Sequence, residues 1–67
     1  MLSARNQLKA TVQSVKLGTV MSEVVARVGD IELVSVITRS STEAMSLKAG
    51  DEVHVVIKAT EVMIAKD

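Results

Sequence analysis

The stretch "VMSEVVARVGDIELVSVIT", Val20 to Thr38, decides the fold. Val20, Val24, Ala26 and Val28 share one parity, the two-residue period of a strand with one face turned to a core. Gly29 and Asp30 separate this run from the next, and a two-residue hairpin loop favours glycine at positive φ. Ile31 to Thr38 then reads as the partner strand. Ile31, Leu33 and Ile37 share one face, while Val34 and Val36 make the opposite face apolar as well. A strand apolar on both faces needs two covers, and a second copy of the chain is the simplest source of the outer one.

The same alternation extends in both directions. Leu8, Ala10 and Val12 alternate with Lys9, Thr11 and Gln13, after which Val15 and Leu17 continue on odd numbers. A phase slip at Gln13-Ser14 predicts a β-bulge, which bends and twists a strand. Gly18 marks the turn that follows. On the other side, "SSTEAMSLKAGDEV", Ser40 to Val53, breaks the β pattern. Ser40 with Glu43 fits a capping box. Ala44, Met45 and Leu47 supply a short apolar stripe, and Gly50 is the expected stop, so one or two helical turns are predicted. Val53, Val55 and Ile57 predict a fourth strand, and Val62 to Ile64 a short fifth. Three strands, a helix and two strands match a small all-β, five-stranded barrel of the OB type. Residues 1–67 read as one domain without internal repeat or linker.

Composition excludes several function classes. The 67 residues carry eight basic and eight acidic side chains, 48% apolar residues, and no Phe, Tyr, Trp or Cys. The aliphatic content is too high for a disordered chain, and thiolate metal sites and disulfides are impossible. So small a core is marginal alone, which again predicts self-association. Arg5, Asn6, Gln7 and Lys9 interrupt any apolar run of a signal peptide. No stretch approaches the roughly 20 apolar residues of a membrane span. A cytoplasmic protein without membrane partner is expected. Single-strand nucleic-acid binders of the OB type use aromatic stacking platforms in a positive groove; this neutral, aromatic-free chain offers neither. Nor does it suggest an enzyme. His54, the one histidine, alternates with Val53 and Val55 as a strand residue; Asp51 and Glu52 follow a turn; and the three glycines are isolated.

What remains is a set of small donors and cations near strand ends. Ser3, Arg5 and Asn6 precede the first strand; Thr38, Ser40 and Ser41 join the third strand to the helix; Lys58 and Thr60 end the fourth. Singly, these are a chain terminus, helix caps and a solvated strand end. Together they are what a tetrahedral dianion requires: hydroxyls, a guanidinium and an ammonium held in place.

These residues also carry a family resemblance. "SARNQLKATV" (3–12), "SVKLG" (14–18), "VITRSS" (36–41), "LKAGDEV" (47–53) and "IKATEVMI" (57–64) resemble, in this order, the molybdate-binding Mop domain of the TOBE/Mop family, in particular the free-standing molbindins. The resemblance implies OB-fold subunits assembled as a homohexamer, a trimer of dimers. It implies molybdate or tungstate as bound ligand, held between subunits, with no organic cofactor, and a role in intracellular storage of the oxyanion. An oxyanion-sensing regulatory module and a purely structural oligomerisation domain are the alternatives. By the resemblance the ligand is held by Ser3 and Arg5 of "SARN", Thr38 and Ser41 of "IT-x-x-S", and Lys58 with the backbone of Ala59. Asn6, Ser40 and Thr60 are secondary candidates, and Gly18 and Val20 belong to a segment that could serve a second class of site near a threefold axis. Ala10 departs from the glycine that many relatives carry there. The expected division joins Ser3 and Arg5 of one subunit to Thr38, Ser41, Lys58 and Ala59 of its neighbour, with Lys58 beside Thr38 and Ser41.

Overall fold

The computed structural model describes residues 5–66. Four strands form one antiparallel sheet: β1 (Asn6–Leu17), β2 (Met21–Val28), β3 (Ile31–Thr38) and β4 (Glu52–Ile57), ordered β3-β2-β1-β4. A short helix, α1 (Arg39–Ala44), joins β3 to β4, and a 3-10 turn covers Ala59–Glu61. The β2–β3 hairpin pairs Val28 with Ile31 across a loop in which Gly29 takes φ +59°. That matches the expectation from its two-residue spacing.

β1 is the spine of the sheet. Asn6 to Thr11 pair with β4, whereas Thr11 to Leu17 pair with β2. The handover falls at the expected bulge, where the register shifts between Val12 and Ser14. Val12 uses both backbone groups there: its N–H donates to Asp51 O at 2.8 Å, and its carbonyl accepts from Gly50 N at 2.8 Å. The extra residue, Gln13, reaches across the hairpin. With its amide oriented to satisfy both groups, it accepts from Arg27 Nε at 2.8 Å and donates to Glu32 Oε1 at 3.3 Å.

Alternation sorts the faces. Ala10, Val12, Val24 and Ala26 are buried on the inner side, together with Ser22 and, from α1, Thr42. Leu33 and Ile37 from β3 and Val53, Val55 and Ile57 from β4 are half-buried around them. Val34 and Val36 lie on the outer face of β3, each 63% exposed. The two-faced apolar strand is therefore real, and its second face is uncovered in the single chain. Val20 precedes β2 and is exposed, so it does not join Val24 and Ala26 in the core.

Two local expectations are corrected. The helix is capped by Thr38, whose side chain accepts from Ser41 N, rather than by a Ser40–Glu43 box. The β2–β3 ladder runs to Met21–Thr38 and leaves Thr38 extended at φ −68°, ψ 148°, so the cap falls at the end of the strand. The helix also stops before Gly50. Ser46 takes φ +51° and donates from its N–H to Glu43 O at 3.0 Å, while Leu47 N donates to Thr42 O at 3.2 Å. These two bonds form a Schellman motif with serine in the left-handed position.

The fifth strand over Val62–Ile64 is absent from the described residues: 62–66 have no regular structure. Met63 and Ile64 are about nine-tenths exposed. The segment has strand-like composition, but it follows the 3-10 turn and no strand among the described residues pairs with it.

Candidate functional site

At the junction of β3 and α1, four hydroxyls meet within one turn. Thr38 Oγ1 accepts from Ser41 N at 3.1 Å and donates to Ser41 Oγ at 2.7 Å. Ser40 Oγ donates to Thr38 Oγ1 at 3.4 Å, and Thr42 Oγ1 donates to Thr38 O at 3.2 Å. Thr42 is 2% exposed, so it pins the turn to the core. Thr38, Ser40 and Ser41 remain exposed. This part of the expected set is therefore one cluster, with hydroxyls that can rotate towards a ligand.

Gly18 and Val20 come to the same place. Arg39 N donates to Val20 O at 2.8 Å, and Arg39 Nη1 donates to Gly18 O at 3.3 Å. Gly18 N in turn donates to Met21 O at 2.8 Å. Arg39 is the residue that reading by spacing missed. It occupies an unspecified position of "IT-x-x-S", and its contact lies 21 residues back along the chain.

The remaining candidates gather elsewhere. Asn6 pairs with Ile57, so Arg5 and Lys58 flank the same end of the β1–β4 ladder, followed by Ala59 and Thr60 in the 3-10 turn. All five are exposed. Thr38 pairs with Met21, and Ser22 with Leu17, at the other end of β1. A straight strand over the 12 residues of β1 would span about 36 Å. Lys58 thus stands with Arg5 and Asn6 rather than beside Thr38 and Ser41, because β4 runs antiparallel to β1 away from the helix. Ser3 lies outside the described residues.

Between the two groups, the turn before β4 is held by one ion pair. Lys48 Nζ donates to Asp51 Oδ1 at 3.1 Å, and Lys48 N to Asp51 Oδ2 at 3.0 Å. The Lys48 side chain, followed by its backbone N–H, holds the Asp51 carboxyl below its ordinary value of 3.8. Among the described residues no group of three or more His, Asp or Glu side chains gathers around a possible metal ion. The chemistry on offer is recognition of an anion by hydroxyls, backbone N–H groups and cations.

The TOBE domain pattern matches residues 2–64. Molybdenum-pterin-binding protein 3 of Clostridium pasteurianum is 47% identical over 64 residues, which are 94% of each chain. A molybdate-binding protein from Sporomusa ovata superimposes with a TM-score of 0.95 at 41% identity over 98% of both chains. The cytoplasmic molybdate-binding protein ModG, in a form with molybdate bound, superimposes with a TM-score of 0.83 at 42% identity. That match covers 87% of this chain and 42% of ModG. With a pattern match over nearly its whole length and a full-length relative at 47% identity, the chain belongs to the TOBE domain family, alongside the small molybdenum-pterin-binding proteins.

Proposed function

We propose that this chain binds molybdate as a storage protein of the cytoplasm, without catalysis. The carrying observation is the fixed cluster of Thr38, Ser40 and Ser41 hydroxyls at the strand–helix junction. It is a donor surface suited to a tetrahedral oxyanion. Full-length relatives named for molybdenum and molybdate support the choice of ligand. Tungstate has the same charge and nearly the same size, so it should occupy the site equally well. Sulfate is smaller and leaves some donors out of reach.

The site is shared between chains. Arg5, Lys58 and Ala59 of one subunit face Thr38 and Ser41 of its neighbour, with Ser3 joining Arg5. This revises the expected division by moving Lys58 to the Arg5 side. The support is the separation of the two groups to opposite ends of β1. A buried dianion needs cations close by, because its desolvation is otherwise costly.

Surface area supports association. The chain exposes 5544 Å². A compact monomer of 7.1 kDa would expose about 4,100 Å². The difference of about 1,400 Å² exceeds the roughly 800 Å² that one partner contributes to a standard interface. This excess supports self-association, and the proposed assembly is a homohexamer built as a trimer of dimers. In that assembly Val62–Ile64 gains a ladder partner and completes a five-stranded OB barrel.

Equilibrium dialysis against molybdate, followed by molybdenum analysis, tests the reading. Retained molybdenum that tungstate displaces and equimolar sulfate does not is the expected result. A protein that retains none contradicts it and favours a purely structural oligomerisation module.

A further inference from the structure

The hydroxyl cluster has a weakness that the fold offsets in part with one residue. Without ligand, the hydroxyls of Thr38, Ser40 and Ser41 satisfy one another. An arriving oxyanion takes their protons as donors, so these mutual bonds break as the ligand binds. What then holds the turn must not use those hydroxyl protons. Thr42 Oγ1 to Thr38 O and the cap from Ser41 N to Thr38 Oγ1 both survive. So do the backbone bonds within and after α1, Met45 N to Ser41 O and Leu47 N to Thr42 O, and the pairing of Thr38 with Met21. Arg39 adds attachments that reach outside the helix to the Gly18–Met21 turn.

Its N–H donates to Val20 O at 2.8 Å, its Nη1 donates to Gly18 O at 3.3 Å, and its Nε stands 3.6 Å from Glu43 Oε1. The turn it grips is closed by its own backbone bond. Gly18 N is bonded to Met21 O, and a Cβ at Gly18 would lie 2.7 Å from that same oxygen. Gly18 and Val20 present carbonyl oxygens towards Arg39, acceptors that an oxyanion avoids.

We infer that Arg39 is a positioning residue for the oxyanion site: it clamps the first turn of α1 to the Gly18–Met21 turn and holds the Thr38, Ser40 and Ser41 hydroxyls in place before and during binding. The inference rests on the molybdate reading. Prior ordering of donors lowers the entropic cost of binding, so a loosened turn costs affinity without removing any ligand contact. Gly18 and Val20 serve the site through Arg39. The Arg39–Glu43 pair is exposed on both sides and contributes little; the side-chain bond to Gly18 O is what Arg39→Ala removes, while the backbone bond to Val20 O stays in every variant.

Two readouts on the intact oligomer test this. Molybdate titration calorimetry is run on wild type, Arg39→Ala, Arg39→Lys and Glu43→Gln, and amide hydrogen exchange is followed at Ser41 and Val12. Arg39→Ala should weaken molybdate binding about tenfold, the scale of one hydrogen bond to a charged group. It should also speed exchange at Ser41 while Val12, bonded to Asp51 O in the core, stays protected. Arg39→Lys, with one nitrogen in place of a fork, should fall between the two, and Glu43→Gln should stay within about twofold of wild type. Arg39→Ala with wild-type affinity and unchanged Ser41 protection overturns the inference. So does equal acceleration at Ser41 and Val12, which would mean general destabilisation. Wild type that takes up no molybdate overturns the underlying reading instead, and the exchange comparison still decides whether Arg39 holds the turn.

Discussion

Ser46 carries a cost that a single substitution should remove. Its φ of +51° places a side chain in the left-handed region, where Cβ crowds the backbone. The position is the C′ residue of α1, the place where glycine is preferred. Ser46→Gly should therefore stabilise the protein by about 0.5–1 kcal/mol, after the greater freedom of glycine in the unfolded chain is set against the relieved strain. Urea unfolding reads this directly; an unchanged or lowered midpoint would contradict the strain. Thr38 shows a residue with two duties, since the oxygen that caps Ser41 N also belongs to the candidate site. Ser41→Ala is the cleaner probe of binding: it removes a hydroxyl of the candidate site and leaves the backbone cap intact.

The turn before β4 determines how that strand meets the bulge of β1, and its clasp is titratable. Asp51 is held by Lys48, and a carboxyl with a lowered pKa stabilises the fold in its charged form. The contribution is complete above the ordinary value of 3.8 and is lost as pH falls through the lower folded value. Thermal unfolding between pH 7 and pH 2 should show an acid loss in wild type that Asp51→Asn reduces, with the two proteins converging at the acid end. Parallel curves would show that the clasp contributes nothing. The elements themselves were legible to different degrees, for physical reasons. The β2–β3 hairpin and the bulge at Gln13 follow from period and phase, which local sequence carries in full. The cap was misplaced by two residues because Thr38, Ser40, Ser41 and Thr42 are all competent caps, and the end of the β2–β3 ladder chooses among them. Val62–Ile64 has strand composition, yet a strand requires a partner, and no strand among the described residues pairs with it. Arg39 escaped notice because no spacing rule shows a bond to a carbonyl 21 residues away.

As a whole, the molecule carries the residues of the candidate site divided between its ends. Hydroxyls gather where β3 meets α1, and cations gather where β1 begins and β4 ends. The outer face of Val34 and Val36 and the bare segment from Val62 to Ile64 leave apolar surface to be covered. Apolar burial contributes on the order of 25 cal/mol per Å², which outweighs the exposed ion pairs of a chain this small. The residues of the candidate site were named from sequence; their grouping was not, because grouping depends on which strand pairs with which end of β1. Lys58 moved sides for that reason. The proposed sharing of the site between chains predicts complementation between defective chains. Arg5→Ala and Ser41→Ala proteins should each lose molybdate binding when prepared alone. In a co-refolded mixture, an intact Arg5–Lys58 half from one parent can meet an intact Thr38–Ser41 half from the other. Molybdenum retained after dialysis of that mixture, beside none in a matched Arg5→Ala and Lys58→Ala mixture, is the predicted result. No recovery in the first mixture, or equal recovery in both, would contradict the division of the site between chains.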